Sequence, residues 1–302
     1  MAGIAYMDGT FMAAEDVRLP LFDLGFLRGD AVYDTVSVWH GAFFRLDDHI
    51  ARFRRSLAGM RLTCPHDDGA LRRILATCVD RAGLDDAYVQ MIVTRGWFPD
   101  PTRRDLRTAS HRFIAFAIPY VWIVRPDRQD TGIDVAIVEN RRTPSEAIDP
   151  TVKNFNWMDM QRGMLQGLDR GADNVVLLTP AGHLSEGPGF NLFFVKAGRL
   201  HTPAGNVLEG ITRRTVLDLA AELGVAAETG DYGAEALRGA DEAFLSSTAG
   251  GVMPVTRIDG RPIGNGAPGV VTSDLRSLYW RKREAGWLGS RVADLLDEDR
   301  AA

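Results

Sequence analysis

Lysine is scarce in this chain, and one of its lysines lies in an unusual setting. Of the 35 lysines and arginines, only Lys153, Lys196 and Lys282 are lysines. Lys196 lies in a predicted hairpin turn and Lys282 in a basic run near the end, so both are expected in water. Lys153 has the apolar neighbours Val152 and Phe155, which would partly exclude water and disfavour the ammonium form. An amine in that state can attack a carbonyl carbon.

Other polar residues are of the right types to serve the same ligand as Lys153. Glu186 follows 33 residues later in a glycine-rich turn, and Arg52 lies on a predicted amphipathic helix. Thr212 lies at the predicted N-terminus of a further helix, where an anion is favoured, and S-S-T-A-G-G at 246–251 is predicted to form a turn. An amine, a carboxylate and phosphate-binding groups together suit pyridoxal 5′-phosphate, an aldehyde with a ring nitrogen and a phosphate.

Each of these residues also has an ordinary structural explanation. Lys153 can be a surface lysine after a proline turn, Glu186 a loop carboxylate, and Arg52 a solvated helix residue. Thr212 can be a simple helix cap. Tyr33 alternates with apolar residues and can be core packing. Residue types alone leave these alternatives open.

Composition and charge exclude several classes of protein. The net charge of −5 and the pI near 5.7 argue against nucleic-acid and anionic-membrane partners. Cys64 and Cys78 are too few for a disulfide framework or a zinc site, and the six histidines are scattered, so no metal is assigned. The first residues lack the pattern of a secretory signal, and the longest apolar run, 113–124, is too short to span a bilayer. We therefore predict a cytoplasmic protein.

Turn and periodicity signals predict the elements that position these groups. Pairs of the Asp-Gly type predict tight hairpins at residues 8–9, 40–41, 197–198 and 259–260. Apolar residues at helical spacing predict helices over about 47–60, 69–81, 156–170, 211–223, 273–284 and 290–296. Asp47 is the predicted cap of the first of these helices. Short apolar runs among them predict strands.

The length of the chain predicts two domains, since single cores stop growing near about 250–300 residues. The polar run R-P-D-R-Q-D-T-G at 125–132 is the predicted linker. It separates an N-terminal domain at 1–124 from a C-terminal domain at 133–302. A polar, arginine-rich segment at 95–112 is predicted to be a long mobile loop, and loops of that length are often functional.

Six motifs in order along the chain carry a resemblance to a known family. They are F-L-R-G-D-A-V-Y-D, F-R-L-D-D-H-I-A-R, D-P-T-V-K-N, L-S-E-G-P-G-F-N, L-E-G-I-T-R and S-S-T-A-G-G. The chain resembles, nearly end to end, the fold-type IV pyridoxal-phosphate transaminases, which include branched-chain aminotransferases, D-amino-acid transaminases and (R)-selective amine transaminases. The resemblance implies an α+β fold with two domains, an N-terminal α/β sandwich and a C-terminal pseudo-barrel. It also implies a cofactor between them and a homodimer.

The resemblance also implies a role for each candidate residue. Lys153 is implied to be the Schiff-base lysine and the base that moves a proton between substrate carbon and cofactor carbon, and Glu186 the partner of the ring nitrogen. The implied phosphate ligands are Arg52, the backbone of Ile211 and Thr212, and Thr248, with Leu208 supporting the ring. The implied substrate residues are Tyr33, Tyr88 and Trp157.

Two positions distinguish the branches of the family. Branched-chain enzymes carry Tyr-x-Arg where this chain has Tyr88-Val89-Gln90, and D-amino-acid transaminases carry an Arg-x-His pair that W-F-P-D-P-T-R-R lacks. The overall pattern is closest to the (R)-amine transaminases. Those enzymes commonly have histidine where this chain has Arg28, and an arginine there can admit a carboxylate.

The expected reaction moves an amino group from a primary (R)-amine to a keto acid such as pyruvate, through the Lys153 Schiff base and a 1,3-proton transfer. We expect Arg103 or Arg104, from the predicted mobile loop, to bind the carboxylate of the acid. The alternatives are a D-amino-acid or branched-chain amino-acid transaminase, an aminodeoxychorismate-type lyase, and a non-catalytic binding module of the same fold.

Overall fold

The computed structural model describes residues 3–297. These residues divide into two compact units. The first contains the chain up to Val121, the segment Val152–Asn156 and the chain from Arg283 onward. The second contains Trp122–Thr151 and Trp157–Lys282. This division differs from the predicted one, because two segments of the predicted C-terminal domain pair with strands of the first unit.

The predicted linker at 125–132 lies inside the second unit, where Pro126–Gln129 forms a short helix and the Gln129 side chain is buried.

Helices over the described residues are α1 (Leu24–Arg28), α2 (Leu46–Met60), α3 (Asp68–Ala82), α4 (Pro126–Gln129), α5 (Met158–Asp169), α6 (Ile211–Glu222), α7 (Ala234–Arg238), α8 (Val270–Glu284) and α9 (Val292–Asp297). Strands are β1 (Ile4–Met7), β2 (Thr10–Ala13), β3 (Ala31–Trp39), β4 (Ala42–Phe44), β5 (Ala87–Trp97), β6 (Ser110–Pro119), β7 (Ile133–Arg141), β8 (Asn174–Leu178), β9 (Asn191–Lys196), β10 (Arg199–Pro203), β11 (Ala227–Gly230), β12 (Glu242–Ser247), β13 (Gly251–Ile258), β14 (Arg261–Pro262) and β15 (Gly289–Arg291).

The first unit is a seven-stranded antiparallel sheet in the order β15-β4-β3-β5-β6-β1-β2. One face carries apolar residues such as Val32, Val36 and Val89, which pack with α2 and α3 in a single core cluster. Side chains alternate between faces along a strand. Tyr33, Thr35 and the other residues of opposite parity in β3 therefore lie on the second face.

The predicted hairpins at 8–9 and 40–41 are confirmed. Asp8 and Gly9 join β1 to β2, and His40 and Gly41 join β3 to β4, all four with positive φ. The predicted cap of α2 is wrong. The helix begins at Leu46 after Arg45 in a left-handed conformation, and Asp47 lies in the first turn, where a negative charge complements the helix dipole.

The predicted long loop at 95–112 is shorter than expected. β5 continues to Trp97 and β6 begins at Ser110, which leaves the loop 98–109 with one short 3-10 turn. Gly96 has a positive φ inside β5, and a Cβ atom there would lie 1.7 Å from the Ser110 carbonyl oxygen, so only glycine fits at this irregular point of the pairing.

The second unit contains an eight-stranded mixed sheet in the order β11-β10-β9-β12-β13-β7-β8, with β14 paired to β13. Its core is a cluster of aliphatic and aromatic side chains from β7, β8, β9, β12 and β13. The predicted turns at 197–198 and 259–260 are confirmed, again with positive φ at all four residues. Two sheets with helices give the predicted α+β class. No helix formed by residues 3–297 has the length and apolar composition needed to cross a bilayer.

Candidate active site

Lys153 is held against β3 by backbone hydrogen bonds. The Tyr33 N–H donates to the Lys153 carbonyl oxygen at 3.0 Å. The Lys153 N–H donates to the Ser56 hydroxyl of α2, also at 3.0 Å. On β3, the pairing with β4 involves Val38 and Trp39, at the end of the strand. The first half of β3 is therefore available to the segment that carries Lys153.

The Lys153 ammonium lies over an aromatic ring. Its Nζ is 4.4 Å from the centroid of the Tyr33 ring, and that ring stacks on Phe155 with centroids 4.4 Å apart. Lys153 is half-buried. The aromatic setting expected from the sequence is therefore present, and the alternative interpretation of Lys153 as a solvated surface lysine does not describe it.

Arg52 faces a buried carboxylate. Its Nε and Nη2 donate to the two carboxylate oxygens of Asp34 at 2.7 and 2.8 Å, and the His49 Nδ1 lies 2.8 Å from Asp34 Oδ1. His49, Arg52 and Ser56 share one face of α2 because they are three and four residues apart. All of them are buried, so the alternative interpretation of Arg52 as a solvated helix residue is also excluded.

Charge and burial decide the protonation states of Asp34 and His49. Burial by itself would raise the pKa of the Asp34 carboxyl, but the charge and hydrogen bonds of Arg52, with the bond from His49, hold that pKa well below its usual range. Burial lowers the pKa of His49, against the opposing effect of Asp34, and the positive charges of Arg52 and Lys153 lower it further. His49 is therefore neutral at pH 7 and donates its Nδ1 proton to Asp34.

A neutral network covers part of the second face of the first sheet. The Gln90 side-chain amide contacts the Thr35 hydroxyl at 3.1 Å and the Tyr88 hydroxyl at 3.3 Å. Burial raises the pKa of the Tyr88 phenol, despite its hydrogen bonds to Thr35 and Gln90. Thr35 lies two residues from Tyr33 on β3, so the network and the Tyr33 ring are on the same face.

The other predicted substrate residues differ in how far their side chains are exposed. Arg28 is the last residue of α1 and is exposed, and Arg103 and Arg104 are exposed residues of the loop 98–109. Tyr33 itself is buried. Trp157, in the second unit, directly precedes α5 and is half-buried.

In the second unit Glu186 is a buried carboxylate surrounded by donors. Its Oε2 accepts from the Leu208 N–H at 2.9 Å and from the Asn191 side-chain amide at 3.1 Å. Its Oε1 accepts from Arg142 Nη2 at 3.2 Å. Backbone bonds between Leu177 and the segment Ser185–Glu186 fix the main chain beside β8. Glu186 is therefore an oriented acceptor, unlike a loop carboxylate in water.

The N-terminus of α6 presents backbone donors. Gly210 is the N-cap residue, and no side chain among the described residues caps this helix. The first N–H groups of a helix have no partner within it, here those of Ile211 and Thr212. Thr212 lies inside the first turn and is buried, so the alternative interpretation of Thr212 as a simple helix cap does not hold. A Cβ at Gly210 would lie 2.0 Å from the Asn191 side-chain oxygen.

Thr248 lies in the turn after β12 and is half-buried. The preceding residue, Ser247, donates its hydroxyl to the Gly189 carbonyl oxygen at 2.7 Å. Gly189 belongs to the same glycine-rich turn as Glu186. Asn191 contacts both Glu186 and the Leu208 carbonyl oxygen. The second unit thus links Glu186, Leu208 and the Thr248 turn through short hydrogen bonds.

Sequence reasoning missed several of these residues. Asp34 is the one charged residue of β3, and its partner His49 could have been found from its helical spacing to Arg52. Asn191 ends the motif L-S-E-G-P-G-F-N but was given no role, and Arg142 lies outside the six motifs. Their contacts with Glu186 identify both residues.

Comparison with known proteins decides the family. The family model described as amino-transferase class IV matches residues 31–258. The chain belongs to the class IV aminotransferases. This aminotransferase is 32% identical to the putative branched-chain-amino-acid aminotransferase of Methanocaldococcus jannaschii, over 91% of this chain and 94% of that protein. It is 30% identical to the D-alanine aminotransferase of Bacillus licheniformis, over 89% and 93% of the two chains.

Solved structures have the same fold as this aminotransferase. The T.th. branched-chain amino acid aminotransferase with pyridoxamine 5′-phosphate superimposes with a TM-score of 0.89 at 26% identity, covering 97% of this chain and 99% of that one. The Escherichia coli branched-chain amino acid aminotransferase gives a TM-score of 0.88 at 25% identity, covering 93% and 94%. The predicted two-domain fold of the branched-chain aminotransferase type is confirmed.

Membership of the family confirms that this aminotransferase uses pyridoxal 5′-phosphate, as predicted. The residues present fit that cofactor. Glu186 is a buried, oriented carboxylate of the kind that a protonated ring nitrogen requires. No side chain of the described residues caps the first N–H groups of α6, which suits a phosphate. Lys153 has a primary amine, the group that an aldehyde cofactor requires.

Proposed function

We propose that this aminotransferase moves an amino group from a primary (R)-amine to a keto acid such as pyruvate. The observation that carries this proposal is the network of Thr35, Tyr88 and Gln90, which is neutral. An amino-acid donor brings a carboxylate, and burying a carboxylate costs free energy unless a cation or several donors meet it. The Gln90 amide is already engaged with two hydroxyl groups, so this face favours a donor without a carboxylate.

In the proposed reaction Lys153 acts twice. Its Nζ would hold the cofactor in the resting enzyme, and as a free amine it would take the proton from the substrate carbon and deliver it to the cofactor carbon. The bound cofactor supplies an electron sink that stabilises the negative charge left on that carbon. The ring of Tyr33, 4.4 Å from the Nζ, limits where the amine can point.

The other cofactor contacts are assigned by the same proposal. Glu186 would accept a hydrogen bond from the protonated ring nitrogen, and Leu208 would support the ring. The phosphate would be held by Arg52, the N–H groups of Ile211 and Thr212, and Thr248. Two bonds from Arg52 to Asp34 fix the plane of the guanidinium, so it is oriented before the phosphate binds.

A half-reaction panel tests the donor. The cofactor-loaded enzyme is mixed separately with (R)-1-phenylethylamine, its (S) enantiomer, D-alanine and L-leucine, and conversion to the aminated cofactor is followed by absorbance. The proposal predicts the fastest conversion with the (R)-amine. Faster conversion with either amino acid would contradict it.

An amino-acid transaminase is the second candidate. The names of the relatives, a putative branched-chain-amino-acid aminotransferase and a D-alanine aminotransferase, favour it. D-Alanine and L-leucine in the same panel distinguish the two amino-acid types. Release of pyruvate from an aminodeoxychorismate substrate without an amino acceptor would instead support the lyase alternative.

We propose that an exposed arginine binds the carboxylate of the keto acid. Arg103 and Arg104 lie on the loop 98–109, and Arg28 ends α1; all three side chains are exposed. The R103A/R104A variant should raise the KM for pyruvate about tenfold or more, because a charge-assisted hydrogen bond is lost. If the KM does not change, the R28A variant is the next to be measured.

We also propose a cytoplasmic homodimer. Leu21, Phe22, Phe26 and Leu27 are exposed apolar residues within seven positions, and Phe22 is 74% exposed. Such a patch is unusual on a monomer and favours association. The F22D/F26D variant should sediment as a monomer, whereas V270D, at an equally exposed apolar residue, should not. The free thiols of Cys64 and Cys78 suit a reducing compartment.

A further inference from the structure

Glu186 is connected to a second carboxylate through one arginine. Arg142 donates from Nη2 to Glu186 Oε1 at 3.2 Å and from Nη1 to Asp159 Oδ2 at 2.7 Å. No side chain of the three is more than 12% exposed. Charges act strongly on one another in such a setting, because little water screens them.

Asp159 is fixed by groups that do not depend on Arg142. Its Oδ2 also accepts from the Thr143 N–H at 2.9 Å, and its Oδ1 accepts from the Met160 N–H at 2.7 Å in the first turn of α5. The Asn140 side-chain amide donates to the Asp159 carbonyl oxygen at 2.7 Å. Asp159 is therefore a stationary negative charge on the far side of Arg142.

The three charges sum to a single negative charge. If Asp159 were absent, the positive charge of Arg142 would largely cancel the negative charge of Glu186. A carboxylate that is cancelled in this way stabilises a neighbouring cation less, and the pKa of that cation falls. Asp159 prevents this cancellation without any need to touch the cation itself.

We propose that Asp159 is a positioning residue that acts through Arg142 to keep the negative charge of Glu186 available to the protonated ring nitrogen of the cofactor. The inference rests on the proposed function, in which Glu186 is the partner of that nitrogen. Through Glu186, Asp159 and Arg142 then control how strongly the cofactor ring withdraws electrons, because this depends on the protonation of its nitrogen.

Solid-state NMR of the holoenzyme tests this role directly. The enzyme is reconstituted with pyridoxal 5′-phosphate that carries ¹⁵N at the ring nitrogen, whose chemical shift reports protonation, and is measured from about pH 6 to 10. The D159N variant keeps the shape of the side chain and an acceptor oxygen. We expect it to lower the midpoint of ring-nitrogen deprotonation by about one pH unit.

The double variant D159N/R142M separates charge from contact. It removes both members of the Asp159–Arg142 pair and leaves Glu186 as the remaining charge, so its midpoint should return to the wild-type value. If this variant does not fold, as judged by thermal melting, D159N/R142Q replaces it. Glutamine retains a hydrogen-bond donor without the positive charge.

The E186Q variant distinguishes failure of this inference from failure of the proposed function. If E186Q keeps the wild-type signal, Glu186 is not the partner of the ring nitrogen and both fail. If E186Q changes the signal but D159N does not, only the role of Asp159 is overturned. A double variant shifted as far as D159N also overturns it, since the effect would then come from lost contacts.

Discussion

The Arg52 guanidinium and the Asp34 carboxylate form a two-bond ion pair in the interior of the first unit. The bonds are 2.7 and 2.8 Å long, and the side chains are 4% and 0% exposed. A buried ion pair is maintained only where geometry and further hydrogen bonds offset the cost of removing both charges from water. His49 supplies one of those bonds.

Removing one partner of this pair should be strongly destabilising. In the D34N variant the Arg52 charge stays buried without its counterion, and we expect the free energy of unfolding to fall by about 3–5 kcal/mol. Urea denaturation of the apo-protein measures this. The control is D68N, which breaks the exposed Arg54–Asp68 pair and should cost less than about 1 kcal/mol. Equal losses in the two variants would contradict the prediction.

Stability should fall on mild acidification because of His49. Its pKa is lowered in the folded state, so its contribution is fully present above the unfolded pKa of about 6.5 and is lost as the pH falls toward the folded value. We expect the free energy of unfolding to drop as the pH falls below about 6.5. H49Q should weaken this dependence of the unfolding free energy on pH. The part that remains comes from His66 and His111, whose pKa values are also lowered. An unchanged slope in H49Q would exclude this origin.

Lys153 should be the lysine that carries the cofactor. Reduction of the holoenzyme with borohydride, followed by peptide mass spectrometry, should find the reduced cofactor attached to Lys153 and not to Lys196 or Lys282. The K153A variant should lose transaminase activity by about a thousandfold or more, because nucleophile and proton carrier are removed together. K196A, at an exposed lysine paired with Asp241, should retain wild-type activity.

Gly210 should be essential to the phosphate end of the site. An alanine Cβ there would lie 2.0 Å from the Asn191 side-chain oxygen, and Asn191 is held by Glu186 and the Leu208 carbonyl oxygen. We expect G210A to weaken cofactor binding at least tenfold, at a stability cost of about 1–3 kcal/mol. Fluorescence titration of the apo-protein measures the affinity.

Gly233 provides the matched control for Gly210. It is also an extended N-cap glycine, at the start of α7, but a Cβ there meets no atom of the described residues within 4 Å. Both variants change the cap in the same way, so the difference between them isolates the contact with Asn191. G233A should bind the cofactor like the wild type.

An arginine at position 90 should change the donor preference. Q90R places a positive charge beside Thr35 and Tyr88, which stabilises a substrate carboxylate. We expect kcat/KM for amino-acid donors to rise about tenfold relative to the (R)-amine. Q161R, an exposed position of α5, adds the same charge elsewhere and should leave the ratio unchanged. The same ratio in both variants would show that Gln90 does not influence the donor.

Local signals in the sequence predicted much of the fold because they act over a few residues. Asp8-Gly9 and Ala197-Gly198 marked hairpins, since the backbone preference of a turn belongs to the turn residues themselves. The cap of α2 was missed because Arg45, rather than Asp47, precedes the first helical residue in a left-handed conformation that its residue type does not signal.

The sequence by itself determined the family, the α+β class and the cofactor, because motifs around Lys153 and Glu186 are contiguous and each can be recognised without its neighbours in space. Only the tertiary structure decided the partners of these residues. Asp34 meets Arg52, and Asp159 meets Arg142, through the packing of a strand or loop against a helix. Contacts across such distances in the chain depend on how whole elements pack, and no local pattern encodes them.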